Sequence, residues 1–148
     1  MEFGWINLLG AVIVVLMLIP NIIYAAGNKP GKPESVIPHY LSVCEQAGRF
    51  GCMVLMWLPL FVWKFGFRSV EDLLIYLTVN GVLLLCYYFF WMLYSGKKTL
   101  FRAMALAIIP AAIFLLSGIL LRHWSLVAAA ALFGAAHCKI TYMTHTEI

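Results

Sequence analysis

The ten residues 44–53, "CEQAGRFGCM", decide how this chain folds, because they set a carboxylate at Glu45 and a guanidinium at Arg49 one helical turn apart at the head of an apolar run. That run, residues 50–63, is uninterrupted but short. A helix needs about 20 mainly apolar residues to cross a bilayer, since lipid satisfies none of its backbone hydrogen bonds. A spanning helix over 41–63 therefore exists only if both charges lie in its first turns. As i and i+4 neighbours, acid before base, the two side chains can neutralise each other.

The rest of the sequence sets the environment. Hydrophobic residues make up 64% of the 148 and charged residues 11%, with a mean hydropathy of +0.96. An ordinary soluble domain is about 45–50% apolar and about 25% charged. The expected fold is all-α: a polytopic transmembrane bundle in one integral membrane domain over 1–148, with helices over 5–26, 41–63, 73–94, 100–121 and 124–142. The last of these, rich in alanine and carrying His137 and Lys139, is the weakest span; if it re-enters or lies on the surface, four spans remain. Residues 27–40, with three prolines and two glycines, read as a solvated loop. Ser69, three residues before Asp72, reads as the cap of helix three. Pro20, Pro59 and Pro110 are expected to kink helices one, two and four.

Lysine and arginine give an orientation. Lys29, Lys32, Arg49, Lys97, Lys98, Arg102 and Lys139 fall on one side of a five-span topology, and Lys64, Arg68 and Arg122 on the other. The positive-inside rule then puts the N-terminus outside and the C-terminus in the cytoplasm. The start, "MEFGW", lacks the positive region of a cleaved signal peptide. Trp5, Trp57, Trp63, Trp91 and Trp124 mostly fall near the expected membrane interfaces.

Several chemistries are excluded by what is missing. The net charge of +4 is dispersed, with no basic cluster longer than Lys97-Lys98, so no nucleic-acid partner is expected. Cys44, Cys52, Cys86 and Cys138 lack CxxC spacing, and the four histidines lack a zinc pattern, so neither a metal nor another cofactor is expected. No nucleophile elbow, phosphate loop, dinucleotide fingerprint or HExxH motif occurs, and Asp72 is the only aspartate.

What remains are polar residues inside spans, which point to function by default. Glu45 and Arg49 lead, although Arg49 could equally snorkel to headgroups. Cys44, Gly48 and Cys52, with Gly51, form a small-residue strip along which another helix can approach. Ala130, Gly134, His137 and Thr141 share a stripe that would turn His137 inward, where it could relay a proton, bind an anion or simply hydrogen-bond a neighbouring helix. Tyr76, Asn80, Tyr87, Trp91 and Tyr94 share a face of helix three, which could line a cavity; the competing reading has Asn80 glue two helices while the rings fill space. Asn21 falls near the Glu45/Arg49 end, and Asn7 is expected at the opposite headgroups.

"INLLGAVIVVLMLIPNIIYA", "EQAGRFGCMVLM" and "LAIIPAAIFLLSGILL" resemble segments of small, uncharacterised multi-pass membrane proteins of Gram-positive bacteria. The resemblance implies a bacterial cytoplasmic membrane and transfers no activity. On these grounds the expected function is a small transporter, channel or ligand-binding membrane protein, with Asn21, Glu45, Arg49, Asn80 and His137 lining a cytoplasm-facing cavity. Its partners would be membrane lipids and a second copy of the chain or another membrane protein. The alternative is a non-catalytic accessory subunit of a membrane complex, with the charged pair as a clasp. A lipid-acting enzyme using Glu45 or His137 ranks below both.

Overall fold

The structure, a computed structural model, describes residues 6–28, 37–58, 60 and 66–146. Among them the chain forms five helices: α1 (Leu8–Gly27), α2 (His39–Trp57), α3 (Val70–Gly96), α4 (Leu100–Leu120) and α5 (Trp124–Thr146). Helices α1, α3, α4 and α5 are each long and apolar enough to cross a membrane, so the chain is a multi-pass membrane protein. The helix that falls short is α2, not α5. His39, Glu45, Gln46 and Arg49 dilute α2, whereas α5 runs 23 residues and outweighs His137 and Lys139 with alanine and leucine.

The end of α2 corrects the expected 41–63 span. The helix starts at His39 and stops at Trp57, with Leu58 already extended at φ −107° and ψ 127°. Leu58 precedes Pro59, whose ring clashes with a helical residue before it, so the proline ends the helix where a kink was expected. Pro59 itself, like Trp5, Trp63, Lys29, Lys32 and Lys64, lies outside the described residues. The other two prolines stay inside continuous helices. Each removes a donor from the carbonyl four residues back. For Pro20 that carbonyl is Leu16, which instead accepts from the Tyr88 hydroxyl of α3 at 2.6 Å. Ser69 caps α3 as expected, accepting from Asp72 N at 3.2 Å.

The helices form a ring in the order α1, α2, α5, α4, α3, each in contact with its neighbours in that order, and α1 with α3. Small residues make the close approaches. Gly48 of α2 lies against the Phe133 backbone of α5, Gly118 of α4 against Val127, and Gly134 of α5 against Ala111 of α4. Outward, Val12, Val15, Ile22 and Ile23 of α1 and Leu85 and Met92 of α3 are each more than half exposed, as lipid-facing residues should be.

One end of the ring is closed by buried polar groups. Asn7 is fully buried: its backbone N–H donates to Trp57 O at 2.8 Å and its amide to Met56 O at 3.1 Å, while its side-chain oxygen caps α1 at Gly10 N. It therefore ties the start of α1 to the end of α2, and the headgroup position expected for it is not found. On the same half of the bundle, Asn80 and Ser117 exchange hydrogen bonds between α3 and α4 at 3.2 and 3.3 Å. Such interhelical polar pairs contribute about 0.6–2 kcal/mol.

The α4–α5 turn holds two further features. His123 N donates to Gly118 O at 2.8 Å and Arg122 N to Ile119 O at 3.1 Å, the paired hydrogen bonds of a Schellman helix end. The residue that turns left-handed there is Arg122, at φ 55°, where glycine is usual. An L side chain in that region costs about 1–2 kcal/mol. Because the Arg122 Nε is also buried without a hydrogen-bond partner among the described residues, Arg122→Gly is expected to raise Tm in detergent. A fall in Tm would mean the side chain contributes more than the backbone strain.

His123 is buried, with its Nε2 2.9 Å from Leu60 O. Burial pushes its imidazole below the ordinary value of 6.5, against the weaker opposing pull of the Leu60 and Leu55 carbonyls. The unfolded chain then binds a proton that the folded chain resists, so this contribution to stability is complete above 6.5 and declines as pH falls below it. Thermal unfolding is expected to be easier at acid pH in the wild type and less pH-sensitive in His123→Gln; identical slopes would contradict this.

Candidate functional site

Opposite the Asn7 end, α2 and α5 bring three ionisable side chains together. The helical turn between Glu45 and Arg49 lets the guanidinium donate to the Glu45 carboxylate. Gly48 then lets α5 approach so closely that His137 Nδ1 reaches the same oxygen, Glu45 Oε1, at 3.0 Å. Glu45 is buried, 6% exposed, while the Arg49 side chain is 39% exposed and the His137 side chain 24%. A carboxylate can only accept when ionised, so His137 carries its hydrogen on Nδ1. Phe133 completes the cluster: it stacks on His137 at 5.0 Å between centroids and 18°, and the Arg49 guanidinium sits 5.9 Å over its ring.

Beside this cluster lies a cavity of about 510 Å³, lined from all five helices. Arg49 and His137 form its polar wall, with Asn21 and Tyr87 also among its lining. Asn21 Nδ2 donates to the Tyr87 hydroxyl at 2.8 Å and to Met17 O at 2.9 Å, which holds both side chains in place. Tyr24, Trp91 and Tyr94 make an aromatic flank, with Trp91 5.1 Å from Tyr24 and perpendicular to Tyr94 at 5.9 Å. The remainder is apolar, including Val14, Met17, Leu106 and Phe114. Pro110 also lines it and frees the Leu106 carbonyl from its intrahelical donor.

Four of the five expected cavity residues therefore meet at one site. Asn21, Arg49 and His137 line the cavity, and Glu45 stands behind the last two as their common acceptor. Asn80 does not join them: it is 1% exposed and bonded to Ser117 and to Tyr76 O, so it glues helices. The α3 stripe divides in the same way. Tyr87, Trp91 and Tyr94 face the cavity, whereas Tyr76 packs on Phe67 at 4.9 Å. Trp91 lines the cavity, while Trp124 is exposed at the start of α5.

Of the expected packing residues, Gly48 and Gly51 face α5, and Cys52 and Ala130 are buried in the core. Gly134 turns to α4, and Cys44 is half-buried. Phe133, which carries the stacking of His137 and Arg49, escaped the sequence reading, and so did two further site residues. Tyr24 is one, and His145 the other, which meets Tyr94 OH at 3.2 Å and Thr141 O at 3.0 Å. An aromatic in the last turn of α1 and a histidine one turn beyond Thr141 were the available signals. Among the described residues no group of histidine, cysteine and acidic side chains could hold a metal ion.

Compared with protein-family models, curated proteins and solved structures, the chain matches none of them.

Proposed function

We propose that this protein binds a small amphiphilic ligand within the membrane, as a small transporter or carrier does. The observation that carries the reading is the cavity of about 510 Å³ with Arg49 and His137 in its wall. Cavities of about 300–1,000 Å³ that are mostly apolar, with a few converging polar groups, are what ligand sites look like. A purely structural clasp accounts for Glu45 and Arg49 but gives no reason for the charged face of Arg49 to border a space rather than a neighbouring side chain.

The same end of the bundle carries Lys97, Lys98 and Arg102, so the positive-inside rule supports a cavity that faces the cytoplasm, with the N-terminus outside. The sequence resemblance supports a bacterial cytoplasmic membrane. A five-helix ring leaves a slim path, so transport would call for a second copy of the chain.

A thermal-unfolding screen in dodecyl maltoside with amphiphilic acids, alcohols, amines and zwitterions tests the reading. At least one class should raise the Tm of the wild type and fail to raise that of Ala107→Leu, whose larger side chain would grow from the cavity wall. A wild type unmoved by the whole panel would favour the accessory-subunit reading, for which co-purification with a partner at fixed stoichiometry is the check.

A further inference from the structure

We infer that the ligand is an amphiphile with a single anionic group on an apolar or aromatic body, and that it enters together with one proton taken up by His137. This rests on the ligand-binding reading above and assigns its chemistry.

Glu45 neutralises Arg49 and also holds His137, so with a neutral imidazole the three side chains sum to zero. A bare anion placed beside them would leave an uncompensated charge in a low-dielectric space, a costly arrangement. A proton on the cluster cancels it. The guanidinium and the imidazole then present donors to the anionic group, while Glu45 keeps both aimed at the cavity wall.

His137 is the group built to receive that proton. Its Nδ1 is committed to Glu45, and its Nε2 makes no hydrogen bond among the described residues. Stacking on Phe133 fixes the ring. The other groups facing it do not compete. On α5, His145 uses both ring nitrogens, on Tyr94 OH and Thr141 O. On α2, Arg49 is already charged and Glu45 is paired. Helices α1 and α3 offer the phenols of Tyr24, Tyr87 and Tyr94. The cavity-lining residues of α4 include no titratable group. Lys98 stands 5.3 Å over the Tyr24 ring at this end of the bundle, and its cation would draw an anion toward the cavity.

The apolar body has its own place. Val14, Met17, Leu106 and Phe114 form a greasy wall, and Tyr24, Trp91 and Tyr94 form an aromatic flank. A carboxylate, sulfonate or phosphodiester could supply the anionic group, either on a free amphiphile or as the headgroup of an anionic lipid.

Isothermal titration of the full chain in dodecyl maltoside, with blank micelles subtracted, tests this with octanoate, octanol and octylamine as probes. Heats measured at about pH 7.5 in HEPES and in Tris, which differ in ionisation enthalpy, count the protons bound. Octanoate should bind at least about tenfold tighter than octanol, with proton uptake approaching one per bound ion. In His137→Gln, whose amide can still donate to Glu45, the uptake should vanish. Octanol or octylamine binding as tightly as octanoate, or octanoate binding with no proton, would overturn the inference while leaving a ligand cavity. If none of the three binds to folded protein, the ligand-binding reading itself fails. Repeating the octanoate titration in phosphatidylglycerol and phosphatidylcholine nanodiscs separates the sources: weaker binding in phosphatidylglycerol supports a lipid headgroup, and equal binding supports a free amphiphile.

Discussion

Glu45→Ala is expected to destabilise the protein by about 1–3 kcal/mol, the usual result of leaving donors without their acceptor. The loss is large because Glu45 is a shared acceptor. Without it the Arg49 guanidinium and the His137 Nδ1–H both lose their hydrogen-bond partner at the same place. Arg49→Ala should cost at least as much, since it leaves the buried Glu45 carboxylate with His137 as its only side-chain partner. The double substitution Glu45→Ala with Arg49→Ala removes both charges and should recover part of the loss. Thermal unfolding of the four proteins in detergent reads this directly. If all four unfold alike, the pair is solvated and contributes nothing to the fold.

Gly48→Ala is expected to cost about 1–3 kcal/mol and to disable the site, because overpacking moves backbone rather than a flexible side chain. A Cβ at Gly48 would lie 2.8 Å from Phe133 N and 2.9 Å from its Cα and Cβ. Helix α2 would have to leave α5, separating Glu45 from His137 and shifting the ring on which His137 stacks. Gly51→Ala is the matched control, since its Cβ would meet only the Ala129 methyl at an ordinary 3.6 Å. Equal Tm for the two variants would show that α2 and α5 are not packed as closely as described. Gly10→Ala, whose Cβ would fall on the Met56 carbonyl oxygen, should likewise loosen α1 from α2 at the far end.

Much of this architecture can be read from the chain because it is written in local features. Apolar length gave the four spans α1, α3, α4 and α5, Ser69 gave the start of α3, and the i, i+4 spacing gave the Glu45–Arg49 pair. The small-residue stripes on α2 and α5 correctly turned His137 inward, because a glycine facing a neighbouring helix fixes which side of its own helix is inside. What could not be read depends on partners distant in sequence. Asn7 looked like a headgroup contact, yet it bonds to Met56 O, 49 residues away. For Asn80 the sequence left cavity and helix glue open, and only its hydrogen bonds with Ser117, 37 residues on, decide for glue. The end of α2 was misplaced for a different reason: an apolar run extends past Pro59, and hydropathy is blind to the extended backbone that proline imposes on Leu58.

The central claim, an accessible cavity that holds a ligand between the helices, is tested most directly by thiol reactivity on α2. Neighbouring positions there face different surroundings: Met53 lines the cavity, and Cys52 is fully buried outside its lining. In a background carrying Cys44→Ala, Cys86→Ala and Cys138→Ala, the alkylation rate by a small water-soluble maleimide is measured with and without Met53→Cys. The thiol introduced at position 53 should react well above the rate of Cys52 alone and be slowed by octanoate. Reaction no faster than that of Cys52, in protein that remains folded, would contradict the account.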